Sequence, residues 1–143
     1  MNEDSIRLLR EIDAGCKNAV NSFEQIQEFT ADRDLLSVIE EQKKEHELIK
    51  DIACRLLENC GEEPESPTSL TKAMMWFTTE IKMMMDRDDR KAAELLADGC
   101  HMGIKSLSRY LREYKKAGQK ERALAGRLMN LEMDLYKRLL GFL

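Results

Sequence analysis

Apolar residues recur at alternating steps of three and four, and this spacing constrains the fold of the chain more than any other feature. It is clearest at Leu35, Ile39, Gln42, His46, Ile49, Ala53, Leu56 and Cys60. Side chains so spaced lie along one face of an α-helix. Gln42 and His46 are the polar exceptions. Burying them costs free energy unless they are bonded, so the pair is either a hydrogen-bonded core feature or a site.

The same spacing in four other segments predicts five helices in all. They are expected at residues 4–29, 33–60, 69–85, 89–116 and 120–141. Both prolines of the chain fall in the linker at 61–69, and no useful stretch alternates with the period of two that is typical of strands. We therefore expect one all-α domain over residues 1–143. It would be an antiparallel four-helix bundle with a short extra helix between the second and third long helices.

Charge and hydropathy narrow the classes of partner. The net charge of −4 argues against nucleic acid, and the one basic stretch, residues 109–122, is interpreted as a solvated turn between helices. No apolar run approaches the ~20 residues that cross a bilayer, which predicts no membrane span. The first ten residues lack the apolar core of a signal peptide. These features favour a cytoplasmic protein.

The four cysteines of a cytoplasmic protein are expected to be reduced thiols. They form no C-x-x-C pair and show no zinc-like spacing with histidine. Cys16, Cys60 and Cys100 fall on apolar seams, where a thiol behaves as a small hydrophobic group. We interpret these three as core residues.

Several local motifs follow one another in a recognisable order. They are Ser22-Phe23-Glu24, Glu45-His46, the Gly-Glu-Glu-Pro loop within residues 57–64, and Ser69-Leu70 leading to Trp76. With two long helical hairpins around them, this layout resembles the ferritin-like superfamily, and within it a small bacterial branch of unknown function. The resemblance covers essentially the whole chain.

The resemblance implies a carboxylate-bridged metal pair at the centre of the bundle. Its ligands would be a glutamate from each of two helices and a Glu-x-x-His from each of the other two. This chain departs from the pattern, because Lys43 stands three residues before His46 and Leu135 three residues after Glu132. Cys100 occupies the place of the third-helix glutamate. We therefore expect the standard di-iron site to be degenerate.

The remaining residues leave two interpretations open. His46, Cys100, His101 and Glu132 could form one mononuclear site, whose thiolate, imidazole and carboxylate ligands suit zinc or iron. Alternatively, His46 and Glu132 hydrogen-bond within the core, or the Glu132 side chain extends to the solvated rim of the bundle. Glu24 matches the first-helix glutamate of the superfamily, or is a solvated surface acid. No catalytic motif is present, so no enzymatic activity and no cofactor beyond zinc or iron is predicted.

The short helix carries Met74, Met75, Trp76 and Phe77 in succession, and no single helical face holds all four. Because methionine and tryptophan are common at contact surfaces, we expect a homodimer with Trp76 near its centre. The alternative is that they plug one end of the bundle. Two functional hypotheses follow. One is a non-enzymatic bundle acting through self-association or protein binding, and the other is a metal-binding or redox protein with an altered site.

Overall fold

The protein is built from α-helices in the computed structural model, which describes residues 1–64 and 67–143, without the side chains at 68 and 69. The helices are α1 (Glu3–Gln27), α2 (Arg33–Asn59), α3 (Thr68–Met83), α4 (Asp89–Glu113) and α5 (Gln119–Leu139), followed by a 3-10 turn at Leu140–Phe142. No strand occurs in the described ranges. The all-α prediction is confirmed, and every observed helix end lies within three residues of its predicted position.

Acidic and amide side chains begin three of these helices. The Asn2 side chain accepts a hydrogen bond from the Ser5 amide of α1, Asp32 accepts from the first amides of α2, and Asp88 accepts from an amide of α4. Such caps satisfy amides that have no partner within the helix. Gly61, with a φ of 77°, ends α2 in the left-handed conformation that glycine adopts without strain.

Two antiparallel hairpins make up most of the structure. In the first, Gln27 bonds to Glu40 beside the α1–α2 turn, and Arg10 donates to Glu62 at 3.0 Å at the far end. In the second, α4 packs along α5, which in turn contacts α2. The shorter α3 lies against α1 and, less extensively, against α4.

The hydrophobic core has two parts. One contains Phe23 and Ile39, and the other contains Leu8 and Ile49. On α2, His46 lies between Ile39 and Ile49, so a polar layer separates the two parts of the core. Among the described residues, none of the helices combines the length and the hydropathy that a membrane-spanning segment needs.

At the α2–α3 connection, the structure differs from the sequence predictions for Cys60 and for the linker. Cys60 was predicted to lie in the core, but it is exposed, because α2 ends at Asn59 and the chain turns away at Gly61. Cys16 and Cys100 are buried as predicted. The predicted linker at 61–69 is non-helical at 61–64 and 67, α3 begins at Thr68, and residues 65 and 66 lie outside the described part of the chain.

Candidate functional site

His46 and Glu132 form a buried pair between α2 and α5. The Nε2 atom of His46 lies 2.6 Å from Oε1 of Glu132, and Nδ1 lies 2.7 Å from the backbone oxygen of Gln42. His46 is fully buried, and Glu132 is 9 % exposed. The two residues thus hydrogen-bond within the core, which is one of the arrangements that the sequence left open. Both ring nitrogens of His46 are occupied by these two contacts.

The contacts define the protonation state of the imidazole. Nδ1 must carry a proton, because the Gln42 carbonyl can only accept. Burial alone would lower the pKa of His46, but the hydrogen bond and the negative charge of Glu132, with the Gln42 carbonyl, outweigh it and raise the pKa above its usual value. We therefore interpret the pair as an imidazolium donating to a carboxylate.

Helix α4 closes the opposite side of the Glu132 carboxyl group. The thiol of Cys100 hydrogen-bonds to Glu132, and burial together with the negative charge of Glu132 raises the pKa of that thiol. A methyl group placed on Gly103 would lie 3.5 Å from Oε2 of Glu132, so a larger side chain would crowd the carboxyl group. The group thus has an imidazole on one side and a thiol and a glycine on the other.

The other predicted ligands have different partners. Glu24 is exposed and pairs with Lys43, their Oε1 and Nζ atoms being 3.4 Å apart. The exposed ring of His101 packs on Tyr136 with ring centroids 4.4 Å apart. Across residues 1–64 and 67–143, no group of three or more histidine, cysteine, aspartate or glutamate side chains is placed to hold a metal ion.

These residues do not fit the metal pair that a ferritin-like site would hold. Such a pair needs several carboxylates with free oxygens and imidazoles with a free nitrogen. Here both nitrogens of the His46 ring are engaged, and Glu132 is the single carboxylate that the described residues bring to that ring.

A second buried carboxylate, Asp13 of α1, was not among the predicted site residues. Asp13 is fully buried, lies 2.7 Å from Nζ of Lys17 and accepts a hydrogen bond from the Cys54 thiol at 3.1 Å. Partial burial and this carboxylate raise the pKa of Cys54 to about 11. The signal was the spacing of four between Asp13 and Lys17, which places acid and base one helical turn apart.

A cavity of about 160 Å³ lies between α1, α3 and α4, with α5 beneath it. Its walls are largely apolar, and Trp76 and Phe77 contribute from α3. Glu132, which belongs to the buried pair, also lines the cavity, as does its neighbour Cys100. The cavity has room because α1 and α4 face each other there with small residues, which include Gly15, Gly99 and Gly103.

The four predicted interface residues differ in exposure. Phe77 is 2 % exposed and belongs to the core, so it is not available to a partner in this fold. Trp76 packs partly against the same core, and Met74 is half-buried. Met75 is 64 % exposed. Phe77 is buried and Met75 is exposed because the two residues lie on opposite sides of α3.

Searches against protein-family models, curated proteins and solved structures return no match for this chain. Its function therefore has to follow from the chemistry of three features. These are the His46–Glu132 pair, the cavity beside it and the exposed part of α3.

Proposed function

We propose that this chain is a ferritin-like four-helix bundle, with α3 as its extra helix, in which an ion pair stands in place of the metal centre. The directions of the helices support this, because α2 runs antiparallel to α1, and α5 runs antiparallel to α4. The observation that carries the proposal is the engagement of both ring nitrogens of His46. An imidazole in this state has no lone pair for a metal.

A non-enzymatic role follows from this chemistry. Glu132 is held by hydrogen bonds, and the thiol of Cys100 stays protonated because its pKa is raised. Neither group is therefore an activated nucleophile. We propose that the protein acts by binding, in the cytoplasm, where its thiols would stay reduced.

Elemental analysis tests the absence of a metal role. Protein purified without added metal, and again after incubation with zinc or with iron(II) under anaerobic conditions, should retain no stoichiometric metal after gel filtration. The His46→Ala variant is the matched control, since removing the imidazole should leave the metal content unchanged. Stoichiometric metal that disappears in that variant would instead support the altered metal site, the second functional hypothesis.

Self-association is the binding activity that α3 supports best. Met75, Met83 and Met85 are 64 %, 74 % and 93 % exposed, and they lie within eleven residues of the chain. We place these three exposed side chains on one contact surface, because exposed apolar patches are typical of such surfaces and methionine adapts its shape to a partner. A second copy is the proposed occupant, because a two-fold pairing places the same surface on itself.

Charge introduced on this surface should separate the two copies. The Met75→Glu/Met83→Glu double variant should raise the dimer dissociation constant by roughly tenfold or more, since two like charges would face each other across the interface. Sedimentation over a range of concentrations measures this constant. The control is Met133→Glu, at a residue of α5 that is also exposed, which should leave it unchanged. A wild-type protein that stays monomeric at high concentration would show the proposal to be wrong.

A further inference from the structure

We infer that the cavity between α1, α3 and α4 binds a small apolar amine in its protonated, ammonium form. The inference goes beyond self-association and does not depend on it, because every lining residue belongs to one chain. It rests on the size of the cavity, on its apolar walls and on two side-chain oxygens among its lining residues.

The volume of the cavity sets the size of the ligand. About 160 Å³ is available, and an apolar cavity of about 150 Å³ engineered in another protein takes up benzene. A single ring with a short substituent, or an aliphatic chain of equal volume, therefore fills the space.

The walls favour an apolar body. Phe23, Phe77 and Leu135 come from the buried core, and Trp76 adds the largest ring. Aromatic and aliphatic side chains of this kind are typical of small-molecule sites, where a few polar groups fix the orientation of the ligand. A cation beside Trp76 would gain further attraction from the face of the indole ring.

The polar groups of the lining favour a cationic hydrogen-bond donor. Among the described residues that line the cavity, the charged side chains are Glu11 and Glu132, and the His46 imidazolium behind Glu132 is bonded to Oε1 of its carboxylate, not to Oε2. Oε2 of Glu132 lies beside Gly103, which also lines the cavity, so the missing side chain at 103 leaves an approach to that oxygen. Asn18 adds a buried side-chain oxygen that has no hydrogen-bond partner within the described part of the protein. An ammonium group would donate to Oε2 of Glu132 and to the side-chain oxygen of Asn18, whereas a carboxylate ligand such as benzoate has no proton to donate to either oxygen.

Three probes of nearly equal size test the inference: benzylamine, benzyl alcohol and benzoate. Titration calorimetry measures each affinity, and the fluorescence of Trp76, the only tryptophan of the chain, reports whether the ligand enters the cavity. Benzylamine should bind roughly tenfold more tightly than benzyl alcohol, since a charged donor strengthens its hydrogen bonds. Benzoate should show no binding. Failure of benzylamine to bind, or equal binding of benzoate, would overturn the inference.

A cavity-filling variant locates the binding. A Cβ atom on Gly99 meets no atom within 4 Å, and Gly99 lines the cavity, so Gly99→Leu should fill the space and abolish binding of benzylamine. The matched control is Gly126→Leu, at a helical glycine that is equally unobstructed but lies outside the lining. Both changes favour helix formation, so both proteins should fold. Benzylamine affinity that Gly99→Leu leaves unchanged would place the ligand elsewhere and overturn the inference.

Discussion

Replacement of His46 by leucine alone should lower the free energy of unfolding by about 3–5 kcal/mol, the usual cost of removing one partner of a buried ion pair. Glu132 would then stay in the core, with the Cys100 thiol as a much weaker partner than an imidazolium. The His46→Leu/Glu132→Leu double variant should recover most of this loss. Apolar side chains of similar volume often replace a buried pair at little cost.

Urea denaturation of the wild-type protein, both single variants and the double variant gives the coupling between the two residues. His101→Leu is the matched control, because His101 is the only other histidine and is exposed. Its effect should be within about 0.5 kcal/mol. Strictly additive losses from the two single changes would mean that His46 and Glu132 do not stabilise each other.

The stability of the protein should also depend on pH above the ordinary pKa of histidine. Because the pKa of His46 is raised in the folded state, the folded protein holds its proton more tightly than the unfolded chain does. The stabilisation from this proton is complete below the unfolded pKa of about 6.5. It is lost as the pH rises through the folded pKa of His46. The free energy of unfolding should therefore fall over that interval.

Two measurements check the pH dependence. Nuclear magnetic resonance of the labelled His46 ring follows its titration, which should fall at a pH above the ordinary pKa of histidine. The unfolding free energy of the His46→Leu/Glu132→Leu variant, subtracted from that of the wild type at each pH, isolates the contribution of the pair. A His46 ring that titrates at or below the ordinary value would contradict the expected direction.

The sequence predicts the helices and the central pair because both depend on periodicity. His46 stands at a position of the α2 seam that an apolar residue would normally fill, and Glu132 stands among apolar residues on one stripe of α5. Antiparallel hairpins then bring the two stripes to a common centre. The sequence also identified Cys100 as the α4 residue at that level, although it gave no evidence that the thiol would bond to Glu132.

Other features could not be predicted from the sequence because they depend on how the helices face one another. Trp76 and Phe77 are consecutive, so the sequence could not show which of them enters the core; the position of α3 against α1 buries Phe77. The cavity arises where α1 and α4 line the same space with small residues, among them Gly15 and Gly99. A search for apolar periodicity registers large side chains and overlooks such gaps.

The polar layer at His46 and Glu132 also determines how α2 and α5 can slide along each other. Leucine-rich helices pack acceptably in several alignments that differ by one turn, about 5.4 Å along the axis. Any such displacement here would carry His46 into one half of the core and Glu132 into the other, each charged and alone. A single buried polar contact is known to select one alignment among otherwise similar ones. The pair thus fixes the alignment of α2 and α5 along their common axis.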